Sequence, residues 1–165
     1  MTKHEQEVLS LLKNNARISV EDIADSMGVT TATAKKLVKK LENDHTIIRY
    51  TTVINEDKLN AECGKVKALI EVRVRPEKSR GFTGIAKRIA RHPNVIDHYL
   101  ISGQYDFLLI VEGKNLEEIS RFVSEKLASI ENVQSTATHF IMKTYKEKSV
   151  LIDADDELER LAIQP

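Results

Sequence analysis

A chain of 165 residues with 41% hydrophobic side chains has room for one medium domain or two small ones with real cores, which excludes a disordered chain. Its 25 basic and 25 acidic residues cancel, so a uniformly basic, histone-like binder is excluded and any nucleic-acid contact has to come from a local patch. Four Tyr, four Phe and no Trp make stacking on single-stranded bases a poor binding mode, the longest apolar run (107–111) is too short to span a membrane, and the single Cys63 without a signal-peptide pattern sets the expectation of a cytoplasmic protein.

Thr2 with Glu5 three residues on has the form of a capping box, and Val8, Leu9, Leu11 and Leu12 give the helix it starts, through about Lys13, an apolar side. Ser19 caps a second helix with Asp22 three residues on, Gly28 supplies a left-handed turn, and Thr30 caps a third helix. In that third helix Ala34, Leu37, Val38 and Leu41 fall at i, i+3, i+4 and i+7, committing one face to a core. The other face carries Ala32, Lys36, Lys39 and Asn43, flanked by Lys35 and Lys40, with no acid between Asp25 and Glu42. Lysines alone describe any solvated helix face. Behind a capped helix and a tight glycine turn they describe a DNA-reading helix-turn-helix, in which lysines hold phosphates while Thr31, Ala32 and Thr33 approach base edges. Residues 47–54 are rich in the β-branched residues that strands prefer, Arg49 extends the basic patch, and the polar stretch 55–58 marks a linker.

The remaining chain predicts a strand over 65–75, a helix over 80–91, strands over 95–102 and 106–112, a helix over 116–130 and a strand over 133–145. This β-α-β-β-α-β order is ferredoxin-like. Val66, Ala68, Ile70, Val72 and Val74 alternate with Lys67, Glu71, Arg73 and Arg75 along the first strand. Phe82, Ile85, Ala86 and Ile89 mark the buried side of the first helix; Leu116, Ile119, Val123, Leu127 and Ile130 mark that of the second, capped by Asn115 with Glu118. The strand over 106–112 is apolar on both faces, so something covers either Phe107, Leu109 and Val111 or Leu108 and Ile110. A greasy underside or the first domain would serve; a second copy of the sheet suits a helix-turn-helix that reads paired half-sites.

No arrangement for catalysis is evident. The histidines at 4, 45, 92, 98 and 139 are scattered, no Cys/His spacing fits a metal site, and the glycines form no phosphate loop, so no enzyme and no cofactor is expected. The segment Ser102, Gly103, Gln104, Tyr105, Asp106 reads equally as a hairpin turn capped by Asp106 and as a site where loop amides and the Asp106 carboxylate hold the two ends of a zwitterion such as an amino acid.

Taken in order, the helix-turn-helix segment over 27–42, the sequence Ile47-Ile-Arg-Tyr and the sequence Ser102-Gly-Gln-Tyr-Asp-Phe-Leu-Leu resemble the Lrp/AsnC (feast/famine) transcriptional regulators from about Lys3 to Tyr145. The resemblance implies an α+β chain with an N-terminal winged helix-turn-helix domain and a C-terminal ferredoxin-like domain for amino-acid sensing and oligomerisation. It also implies homodimers that assemble into octamers or similar rings, with the effector between dimers. Thr30, Thr31, Thr33, Lys35, Lys36 and Lys40 match the family's recognition segment and Gly103, Gln104, Tyr105 and Asp106 its Gly-x-Tyr-Asp loop. Thr136 and Thr138 fall where members place the pocket's other wall. His45-Thr46 stands where the family usually has Gly-Val, and a left-handed non-glycine residue there costs about 1 kcal/mol.

The expected organisation is a DNA-binding domain over 1–50, an extended linker over 51–64, an effector and oligomerisation domain over 65–146 and a tail over 147–165, acidic from Asp153 on. The expected function is a sequence-specific regulator of transcription that binds double-stranded DNA and responds to a small amino acid. The alternatives are an effector-independent architectural DNA binder and, from another class, an amino-acid-sensing subunit of a metabolic enzyme.

Overall fold

The computed structural model describes residues 1–59, 64–78 and 81–152, so Cys63, Arg80 and the acidic residues of the tail lie outside it. Two compact units divide at Ile54 and Asn55.

The first unit is three helices: α1 (Lys3–Asn14), α2 (Val20–Met27) and α3 (Thr31–Asn43). Each starts on the cap its sequence offers. Thr2 and Glu5 form the full capping box, the Ser19 hydroxyl accepts the Asp22 amide at 3.0 Å, and the Thr30 hydroxyl accepts that of Thr33 at 3.3 Å. Gly28 closes α2 at φ 64°, a conformation open to glycine at no steric cost. Val8, Ile23, Ala24, Ala34 and Leu41 are fully buried, with Leu37 and Val38 packed against them. His45 does take the left-handed conformation at φ 60°, and the Ile47 amide closes the helix end on the Leu41 carbonyl at 2.9 Å. The turn is thus the one a glycine would make, despite the side chain. Residues 47–54 form neither helix nor strand, so their β-branched content finds no ladder partner within the described chain.

In the second unit a 3-10 turn (Glu56–Lys58) leads to β1 (Val66–Val74), α4 (Thr83–Ala90), β2 (Val95–Leu100), β3 (Phe107–Gly113), α5 (Leu116–Arg121) and β4 (Val133–Phe140). The four strands form an antiparallel sheet in the order β2-β3-β1-β4, the ferredoxin-like arrangement. A small hairpin of β5 (Lys146–Glu147) and β6 (Val150–Leu151) follows. Ala68, Ile70, Val72 and Val74 of β1 and Phe107, Leu109 and Val111 of β3 share one face and are buried under Ile85 and Ile89 of α4 and Ile119, Phe122 and Leu127 beyond them. Leu108, Ile110 and Leu69 lie on the opposite face and are half-buried.

Two expectations need correction. The helix expected over 116–130 leaves the α form after Arg121 and continues as a π-helical stretch, Phe122–Leu127, in which the Ala128 amide reaches the Val123 carbonyl at 2.8 Å. Its buried side runs Ile119, Phe122, Leu127, and Leu116, expected in the core, is 54% exposed. The last strand ends at Phe140 instead of 145: Phe140 pairs with Ala68, the Ile141 amide adds one more bond to the Lys67 carbonyl at 2.9 Å, and the chain then leaves the ladder for the β5-β6 hairpin.

Candidate DNA interface and effector loop

Helix α3 buries Ala34 and Leu41 and turns Thr31, Ala32, Thr33, Lys35, Lys36, Lys39 and Lys40 to solvent, so the fold leaves every residue expected to approach DNA accessible together with the Thr30 cap. Lys36, Lys39 and Lys40 with Asn43 and Asp44 line an open recess of about 440 Å3. Lys40 has a structural duty as well: its ammonium donates at 2.6 Å to the carboxylate of Glu5, whose side chain is almost fully buried in α1. That hydrogen bond holds the Glu5 carboxyl below its ordinary value and the Lys40 ammonium above its own. Lys40 is therefore a strut between α1 and α3 as well as a surface cation. The capping box gave Glu5 a local role, and the partner 35 residues away left no local signal.

The loop between β2 and β3 sits at the far end of β1. The Asp106 carboxylate accepts the Val74 amide at 2.8 Å and the Asp106 amide donates to the Val72 carbonyl at 3.1 Å. The Arg73 guanidinium donates twice to the Gln104 carbonyl, at 2.6 and 3.1 Å, and lies 5.8 Å from the centre of the Tyr105 ring. Arg73 was legible only as the wet side of a strand; its hold on the loop follows from the β1-β3 pairing. Gly103 has no positive φ, and a Cβ there would meet nothing within 4 Å. The turn does not require a glycine, so the turn-only reading of Gly103 leaves that residue without a reason.

Thr136 pairs with Val72 across the β1-β4 ladder, and Val72 pairs with Phe107 on its other side. Thr136 and Thr138 are half-buried on the helix-packed face of edge strand β4. Strand β1 thus separates them from the loop by two strand spacings, about 10 Å. The single chain brings the loop and Thr136 to one end of the sheet without joining them into one pocket wall.

On the other sheet face, the Lys67 ammonium lies 2.9 Å from Glu56, 3.8 Å from Glu112 and 3.9 Å from Glu147. Burial alone pulls this lysine's pKa down, but Glu56 and then the other two carboxylates raise it overall. The network ties the 3-10 turn and the terminal hairpin over one end of that face, and Asn55 adds a bond to the Ile152 carbonyl at 3.1 Å. Among the described residues no helix is long and apolar enough to cross a membrane.

Comparison with known proteins agrees with this layout. Residues 67–151 match the family model of the Lrp/AsnC ligand binding domain and residues 1–48 that of a winged helix-turn-helix DNA-binding domain. The HTH-type transcriptional regulator YugG of Bacillus subtilis is 36% identical over 165 residues, covering 100% of this chain and 99% of the relative. An HTH-type transcriptional regulator of Pyrococcus horikoshii is 33% identical over 148 residues, covering 90% of this chain and 97% of its own length. Among solved structures, a Neisseria meningitidis transcriptional regulator in complex with L-Met superposes with a TM-score of 0.71 at 21% identity over 94% of this chain and 98% of that one. AsnC of Escherichia coli gives 0.68 at 18% identity over 91% and 97%, so both share the fold.

Proposed function

The chain belongs to the Lrp/AsnC family of helix-turn-helix transcriptional regulators with a ligand-binding domain, and from that premise we propose that it is a cytoplasmic, sequence-specific regulator whose DNA binding or assembly responds to a small amino acid. The observation that carries the proposal is the face of α3: a capped helix whose core side is filled and whose opposite side offers lysines with no acid among them. In this reading Lys35, Lys36, Lys39 and Lys40 hold phosphates, Thr31, Ala32 and Thr33 approach base edges, Ala32 against a thymine methyl, and Thr30 caps the helix within the same DNA-contacting segment. The DNA-binding part is residues 1–50, the linker 51–64, the sensing and assembling part 65–146, and the tail 147–165.

The effector sits at Gly103, Gln104, Tyr105 and Asp106, with Thr136 and Thr138 forming a second wall. As the family resemblance implies, the two walls come from different copies and the site is a seam between dimers. What supports a ligand here is the glycine that the turn does not need: a bare backbone lets a carboxylate approach the loop amides closely. The dimer forms on the sheet face that carries Leu69, Leu108 and Ile110, and dimers close into an octamer or similar ring. A ligand at the seam then biases whichever spacing of helix-turn-helix units closes it best.

A second reading, an architectural DNA binder without an effector, is favoured by one observation. The Asp106 carboxylate already accepts the Val74 amide, which is work enough to explain it. Gel shift on DNA upstream of the protein's own gene, with a thermal-shift screen of the amino acids, separates the readings. A retarded band together with a rise in melting temperature for at least one amino acid supports the regulator with an effector. A retarded band with no thermal response supports the architectural reading, and no band removes both.

A further inference from the structure

The sheet's two covering helices differ in charge. The stretch 73–91, which contains α4, has seven basic residues and one acid, Glu77, in a chain whose charges balance overall. The stretch 114–131, which contains α5, has three basic residues and four acids. Helix α4 buries Ile85 and Ile89, so Lys87, Arg88 and Arg91 all lie on its outer side, exposed. They line an open recess of about 380 Å3 with Gly84, Glu77 and Glu131.

The fold uses some of this charge and, among the described residues, holds neither Lys87 nor Arg91 in an ion pair. Glu77 pairs with Arg88 at 3.2 Å, and its carboxylate occupies the space a Cβ at Gly84 would fill. That pair neutralises itself. Lys87 and Arg91, one helical turn apart, share the recess with Glu131, and Arg75 is exposed one residue beyond β1. Nothing in the core requires cations at these positions, since alanine or glutamine would serve a solvated helix face equally well.

We propose that the outer face of α4, through Lys87 and Arg91, is a second phosphate-contacting surface that engages duplex DNA outside the segment read by α3. The proposal rests on DNA binding by the helix-turn-helix, which supplies the polyanion and brings it to the molecule. Two cations one turn apart on a rigid helix match the sequence-independent backbone contacts that set affinity through counterion release, and no aromatic or amide side chain lines the recess beside them among the described residues to read a base.

The test is the salt dependence of binding by the full chain to two duplexes, one of about two helical turns and one of about six. Lys87→Gln/Arg91→Gln should lower the slope of log affinity against log salt on the long duplex by about 2, at about 0.9 for each phosphate that is no longer neutralised. Lys87→Arg/Arg91→Lys, which keeps the charges, should restore it. A thermal melt like the wild type's establishes that the variants fold, as expected for exposed positions. An unchanged slope on the long duplex overturns the proposal. So does a variant that changes its sedimentation without changing that slope, because the face would then be a contact between copies. Failure of the underlying reading looks different: the wild type would bind neither duplex.

Discussion

The two units put their functional groups to different uses. In the first, the core side of α3 and its outer side are separate sets of residues: Ala34 and Leu41 build the unit, while Lys36 and Lys39 point away from it. In the second, the candidate loop is also structural. The Asp106 carboxylate holds the end of β1, and Arg73 holds Gln104. The lesson is that a binding face can be altered freely only where the fold does not borrow it. Lys40 marks the boundary inside the first unit, being both a surface cation and the partner of buried Glu5.

The sharpest way to test the contrast in the second unit is to compare adjacent residues of β3. Leu109 is fully buried between sheet and helices, and Leu109→Ala should cost about 2–5 kcal/mol, read as lost hydrogen-exchange protection throughout the β1-β3 ladder. Leu108 faces the other way, so Leu108→Lys should leave the fold protected and abolish the dimer in sedimentation, by setting an unpaired charge in a dry seam. A folded dimer of the Leu108→Lys variant would mean that this sheet face is not the interface.

Asp106→Ala should cost about 1–3 kcal/mol of stability in the second unit, because it leaves the Val74 amide without its acceptor. If the effector's ammonium also binds there, calorimetry of the folded variant should show affinity for the amino acid that binds the wild type reduced about ten- to a hundred-fold. A change under about threefold assigns Asp106 to the fold alone. Lys36→Ala/Lys39→Ala should by contrast change the stability of the first unit, read by denaturant unfolding, by no more than about 0.5 kcal/mol for each exposed position.

Acid should separate the units by pH. Burial, partly offset by the backbone of Ala86, holds His98 below its ordinary 6.5, and among the described residues its buried Nε2 has no hydrogen-bond partner to receive a proton's charge. Burial with nearby Lys126 does the same to His92. Both folded values are depressed, so their stabilisation is complete above their ordinary value of 6.5 and is lost as pH falls through the folded values. Glu5, held down chiefly by Lys40, contributes stability above its ordinary 4.5 that is lost only below that range. Amide exchange should therefore loosen in β2 and α4 at a higher pH than in α1. In Lys40→Met, α1 should open at a higher pH than in the wild type; identical pH profiles for α1 would remove the pair from the stability of the unit.

What the sequence reveals follows the range of the interactions involved. The caps at Thr2, Ser19 and Thr30 and the Gly28 turn are decided within four residues, and all form as expected. The alternation along β1 is equally local, and it places its buried face correctly. The end of β4 is decided by where the chain leaves β1 for the terminal hairpin, and the Glu5–Lys40 strut by a fold that joins positions 35 apart. Between these cases lies the π-helical stretch. Its core steps of three and then five, from Ile119 through Phe122 to Leu127, stand in the sequence, but Leu116, Val123 and Ile130 offer a regular helical stripe that masks them. For the candidate site, the loop motif is legible and its engagement by Arg73 and Val74 is not, because both partners come from another strand.

The central claim is that α3 reads DNA through a face the fold leaves unused. Its most direct test is the affinity of the full chain for its upstream duplex, measured against salt for the wild type and for Lys36→Ala/Lys39→Ala. Removing these two phosphate partners should lower the slope of log affinity against log salt by about 1 to 2 and weaken binding across sequences. An unchanged slope in the folded variant would contradict the account.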